Sequence, residues 1–164
     1  MSTKTSAVEY RLLVQPAYDE TLKKHGYLFL LETSKIFTNF SYVIDVRDVL
    51  EGNGLLWTLH GLRAPSMIMP ATGSATFRKI YFDLPRTVRF TLLKSGTTKA
   101  SAEIVFGKNG ITATSESSTF LKVYTNAAEF DEKRTEDAGI SAPKPEIRRE
   151  PPAKKKPATQ RTRT

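Results

Sequence analysis

The chain has no cysteine and only two histidines. Disulfides, thiolate nucleophiles and cysteine or multi-histidine metal centres are therefore outside its chemistry. Of the two imidazoles, His60 has the more suggestive neighbours. It stands in Trp57-Thr58-Leu59-His60-Gly61-Leu62-Arg63. A general base at His60 beside an anion-holding Arg63 could serve an enzyme or a small-ligand site. The same spacing fits a histidine at a strand end making one hydrogen bond. His25 follows Lys23 and Lys24 near the end of an expected short helix, where a cation favours the dipole. Asp45, Asp48 and Glu51 lead into Gly52-Asn53-Gly54. An EF-hand loop sets its oxygens at alternate positions, which this spacing does not, so these read as solvated strand-end acids. Phosphate-cradling glycine fingerprints, the nucleophile elbow and the HExxH pair are all missing from the sequence. No metal, no cofactor and no catalytic residue is expected.

Binding chemistry is better represented. Phe77-Arg78-Lys79-Ile80-Tyr81-Phe82 interleaves rings with cations, and Arg86 and Arg89 follow. On an open strand face, Lys79 could pair a phosphate while Tyr81 stacks a base. If Tyr81 is core, the cations are simply solvated. Ala64 to Ala75 is the least regular stretch of the body. Its Met67 and Met69, with His60 and Arg63 upstream, make a candidate partner loop, because methionine adapts to contact surfaces. The other reading is an edge segment tucked onto the core. The clearest functional feature is C-terminal. Residues 147–164 hold Arg148, Arg149, Lys154, Lys155, Lys156, Arg161 and Arg163 against a single acid, Glu150. Such a run attracts polyanions through counterion release, nucleic acid first, with an anionic membrane surface or an acidic protein as alternatives.

These residues must be positioned by something, and the patterning is that of strands. Val8, Tyr10, Leu12 and Val14 alternate with Glu9 and Arg11, the period of a half-buried strand. Pro16 to His25 reads as a short helix stopped by Gly26, with Tyr18 and Leu22 on its buried face. Further strands are read at 27–31, 36–50, 55–62, 76–82, 87–94, 99–106 and 111–124. Asn53-Gly54 is a strong hairpin signal. Eight strands with short glycine-rich links and no helical crossovers argue for a mainly-β chain. The expected architecture is an antiparallel β-sandwich, Ig-like or jelly-roll-like, with a closed β-barrel as the second choice. Asn126 and Glu129 have capping-box spacing, so a surface helix is expected near 127–138, anchored by Phe130 alone.

The 164 residues carry a net charge of +8 and are 39% hydrophobic, enough for a core. Composition divides the chain into a body (1–126), an acidic helix or linker (127–146) and a disordered basic tail (147–164). The N-terminus has no apolar leader, and no run approaches the roughly 20 residues of a membrane-crossing helix. A cytoplasmic protein is expected. The functional expectation is a non-catalytic binding protein: its body docks a macromolecular partner, most simply a protein, and its tail holds an anionic one. The alternatives are a small-ligand or enzymatic domain using His60 and Arg63, and a structural subunit of a larger assembly. Oligomeric state is not fixed by the sequence.

Overall fold

The structure, a computed structural model, describes residues 8–66, 70–94, 96–116 and 120–137. It is mainly β. The strands are β1 (Tyr10–Asp19), β2 (Lys24–Phe37), β3 (Val43–Glu51), β4 (Gly54–Arg63), β5 (Gly73–Tyr81), β6 (Thr87–Lys94), β7 (Thr98–Gly107), β8 (Gly110–Ser115) and β9 (Leu121–Tyr124), followed by one helix, α1 (Ala127–Asp137). All nine strands form one sheet in the order β8-β7-β6-β4-β3-β5-β2-β1-β9, nearly closed into a barrel. The barrel was the second of the two architectures expected.

The connectivity explains why a sandwich was also a reasonable reading. The sheet has a thick ladder everywhere except between β3 and β5, whose parallel register holds only Val43 against Thr76. The edge strands β8 and β9 are the other margin. The barrel is thus two groups of strands, β8-β7-β6-β4-β3 and β5-β2-β1-β9, hinged at one narrow seam. The sheet is mixed rather than wholly antiparallel: β1 runs parallel to β9, and β4 to β6.

Alternation places Leu12, Val14, Phe29, Leu31, Ile44, Leu55, Trp57, Val88, Phe90, Leu92 and Ile104 in one interior core. Trp57 sits at its centre, fully buried, with its ring 4.9 Å from Phe77 and 5.3 Å from Phe90. Those two rings come from opposite sides of the seam, so the aromatic core clasps the two groups of strands together. Burying such rings is worth more than their area, because edge-to-face pairs add about 0.5–1.5 kcal/mol each.

The expected helix over 16–25 is a hairpin instead. β1 and β2 pair from Tyr10↔Thr33 to Asp19↔Lys24, joined by a four-residue loop. Asp19 Oδ1 accepts hydrogen bonds from the backbone N–H of Thr21 and Leu22, both 2.9 Å, an N-cap chemistry put to use in a turn. Pro16 is tolerated because β9 covers β1 only as far as Leu13, leaving an edge beyond it. Gly26 is not a helix stop. A Cβ there would lie 2.5 Å from the backbone O of Tyr81, so β2 needs a glycine where β5 crosses it. Tyr18 and Leu22 are exposed, not a buried face.

The stretch 36–50 is not one strand either. β5 lies between β2 and β3, so the chain must leave the sheet at Phe37 and re-enter at Val43. The β3–β4 hairpin is as expected, but its two turn residues are Gly52 and Asn53, closed by Glu51↔Gly54. Gly52 takes the positive φ of 58°. The 111–124 stretch is split into β8 and β9.

Helix α1 packs on the outer face of β1, β2 and β9. Phe130 is its anchor, fully buried, with its ring 5.7 Å from that of Tyr124 and packed against Leu13 and Leu30. Asn126 caps it, its Oδ1 accepting from Ala128 N at 2.8 Å. The anchor and cap are those read from the sequence.

Candidate functional site

The residues singled out in the sequence are scattered, not gathered. The seven cations of 147–164 and the methionines Met67 and Met69 lie outside the described residues. His60 is exposed. It is the extra residue at a β-bulge, since Val46 faces Leu59 and Asp45 faces Gly61. Arg63 is exposed and turns to Asp45, Nε to Oδ1 3.5 Å.

Arg78, Lys79, Tyr81, Arg86 and Arg89 do not make a single basic and aromatic surface. Arg78 points outward from β5, while Lys79 and Tyr81 share the inner face. Tyr81 is 6% exposed, its ring 5.2 Å from Phe29, so it is core and closed to a stacking base. Arg89 is exposed beside Glu116, at 3.8 Å. Arg86 lines a sizeable cleft, and Arg89 a smaller hollow of about 300 Å³ beside Glu51.

Two polar clusters that sequence reasoning missed are structural. The first crosses the thin seam. Trp57 Nε1 donates to Tyr81 Oη at 2.8 Å, Tyr81 Oη donates to Asp48 Oδ2 at 2.8 Å, and Lys79 Nζ donates to the same oxygen at 2.6 Å. Asp48 and Tyr81 each lie five positions beyond the paired Val43 and Thr76. Side chains therefore continue the junction where the backbone ladder has stopped. Burial pushes the Asp48 carboxyl up, but hydrogen bonds from Lys79 and Tyr81 and the Lys79 charge outweigh it and hold the pKa below the usual range. Burial and the bond to Asp48 raise the Tyr81 phenol.

The second cluster lies under α1. Arg11 and Glu32 are register partners on β1 and β2, both 1% exposed. Glu32 Oε1 accepts from Arg11 Nη2 at 3.1 Å. From the helix, Arg134 closes on both oxygens, Nε to Oε1 at 2.9 Å and Nη2 to Oε2 at 3.0 Å. The hydrogen bonds to Glu32 raise the pKa of Arg134. The missed signal was the hairpin register: once β1 and β2 pair, Arg11 and Glu32 must face each other.

The largest of the hollows described here, about 780 Å³, lies between the β7–β8 hairpin, the start of β2 and the segment leading into β6. Tyr27 and Phe106 form its aromatic wall, ring centroids 4.2 Å apart. Arg86 and Lys108 are its cations, both exposed. No carboxylate is among its lining residues. Arg86 is held in place by its own backbone, whose O accepts from Phe106 N at 2.8 Å. Lys108 stands on the two-residue turn between Gly107 and Gly110. Of these four, only Arg86 was marked in the sequence. The others are spread over more than 80 positions, from Tyr27 to Lys108, and only the barrel brings them together.

The fold is a mainly-β, near-closed barrel sheet with a cleft at the β7–β8 hairpin. Compared with protein-family models, curated proteins and solved structures, the chain matches none.

Proposed function

We propose that this is a non-catalytic binding protein for single-stranded nucleic acid, attached chiefly through its basic C-terminal residues. Charge segregation carries the reading. The described residues hold 16 basic and 15 acidic side chains, near balance because the acidic helix α1 offsets the mildly basic strands. Residues 147–164 hold seven cations and one acid. A cation run of this kind gains affinity by releasing condensed counterions, whatever the base sequence. A single strand fits better than a duplex, because the body offers an aromatic wall beside cations rather than a helix for a groove. Of the ionisable groups with shifted pKa, Asp48, Tyr81 and Arg134 are engaged in hydrogen bonds that hold the fold.

The test is the salt dependence of binding to a single-stranded oligonucleotide. Seven phosphate contacts give a slope of log K against log salt of about −5. Replacing all seven tail cations by Gln in the full chain should flatten most of that slope. An unchanged slope would remove the tail from the function. A protein partner that stays bound to that variant in high salt would instead place the function on the body surface near His60 and Arg63.

A further inference from the structure

Three of the hollows with polar walls compare as ligand sites. The first, about 600 Å³, borders α1 and is lined by Glu32, Ser74, Arg134 and Thr135. Its guanidinium is already committed, since Arg134 gives Nε and Nη2 to Glu32. The second, about 460 Å³, opens at the barrel mouth beside Tyr10, Phe37 and Leu62. Its cation, Lys35, lies over the Phe37 ring at 5.2 Å, and Glu9 on the same wall is paired with Lys94.

The cleft at the β7–β8 hairpin differs on each count. Arg86 and Lys108 have no carboxylate partner among the described residues. Binding an anion there breaks no existing ion pair. Tyr27 and Phe106, half-buried and with ring centroids 4.2 Å apart, are among the residues that line the same hollow. Gly107 and Gly110 put no side chain on either flank of the turn that carries Lys108. The volume lies within the roughly 300–1,000 Å³ of small-ligand sites. Unpaired cations beside an aromatic wall, with no acid among the lining residues, complement one chemistry: a flat π-system carrying a phosphate.

We propose that this cleft seats one nucleotide unit of a single strand, its base against the Tyr27–Phe106 wall and its phosphate between Arg86 and Lys108. The proposal rests on the reading of single-stranded nucleic acid as partner, and adds to it a structured contact on the body. A bound base would stack on a ring, and stacking of this kind tolerates any base because each has a π-face.

Fluorescence anisotropy on the full chain tests it, with a labelled thymidine dodecamer, an abasic dodecamer of the same backbone, and free 5′-AMP as competitor. The thymidine strand should bind about tenfold more tightly than the abasic one. Arg86→Ala with Lys108→Ala should weaken the thymidine strand about tenfold and lower the salt slope by about 1.4. Phe106→Leu should erase the difference between the two strands while leaving abasic binding unchanged. Arg86→Lys, which retains the charge, should recover part of the loss. Equal binding of the two strands, or wild-type affinity in the double alanine variant, would overturn the proposal. So would 5′-AMP binding that follows these variants while the dodecamer ignores them, which would assign the cleft to free nucleotides. The tail-neutralised chain separates the two readings. If it alone loses binding, the tail reading stands and this one fails. If it binds like wild type while the cleft variants do not, the reverse holds.

Discussion

The cluster beneath α1 and the cleft at the β7–β8 hairpin both bring arginine or lysine together with polar or aromatic neighbours, in opposite ways. Beneath α1, Arg11 and Arg134 converge on one buried carboxylate, Glu32. At the β7–β8 hairpin, Arg86 and Lys108 converge on open space beside two rings. The first arrangement spends its charge on holding helix to sheet. The second leaves its charge unspent at the surface. Residue type alone does not separate cations committed to the fold from uncommitted ones; a carboxylate at hydrogen-bond distance does.

The largest effect should come from the filled site. Glu32→Gln strips the charge from beneath two arginines, one of them fully buried. Breaking a buried pair from one side costs about 3–5 kcal/mol, and chemical denaturation should show a loss of that order. A change below about 1 kcal/mol would mean that Glu32 is not what neutralises Arg11.

Phe130→Ala should follow. It removes the one apolar anchor of α1, and large-to-small changes at such sites cost about 3–5 kcal/mol when the whole fold feels them. Here the helix can detach while the barrel persists. Hydrogen exchange should therefore speed up across 127–137 and leave the amides of β6 and β7 protected. Uniform loss of protection would show that α1 is integral to the barrel.

Tyr81→Phe should cost about 1–3 kcal/mol. It leaves Trp57 Nε1 buried without an acceptor and takes a hydrogen bond from Asp48. Asp48 also gives a pH signature. Its carboxyl pKa is lower in the fold than the ordinary 3.8. Its contribution is thus complete above that value and is lost as pH falls below it, through the folded pKa. Thermal melts below about pH 4 should therefore fall more steeply for the wild type than for Asp48→Asn. Parallel curves would remove Asp48 from the acid limb. The smallest effect should be at the open site. Arg86→Ala with Lys108→Ala should move stability by no more than about 0.5 kcal/mol, as surface changes away from buried networks do. A larger loss would show that these cations are structural too, and would dissolve the contrast.

How far the sequence could be read follows the range of the interactions. Period-two alternation located most of the strands, because each strand has to bury one face on its own. The Asn126 cap and the Phe130 anchor were legible for the same reason. Pro16 to Gly26 was misread because its signals are genuine but serve other ends: Asp19 caps a turn, and Gly26 makes room for the Tyr81 backbone. The choice between sandwich and barrel hangs on a single pairing, Val43 with Thr76, which no local pattern announces. Tyr27, Phe106 and Lys108 looked like ordinary strand and turn residues, because nothing near them in sequence hints at Arg86.

The pairing of β1 with β9 sets Tyr10 beside Leu121. A ribosome adding about 5–20 residues per second would need roughly 5–20 s between making the first of these and the second. For that interval β1 and β2 can form their hairpin, but β1 has a bare edge along the very residues that β9 later covers. Closure of the sheet thus waits until β9 has been made. Pro16, which lies on β1 past the end of β9, puts a residue without an N–H on the part of that edge that β9 does not cover. The nascent chain is most open to stray strand pairing between Tyr10 and Leu13, where β9 later belongs.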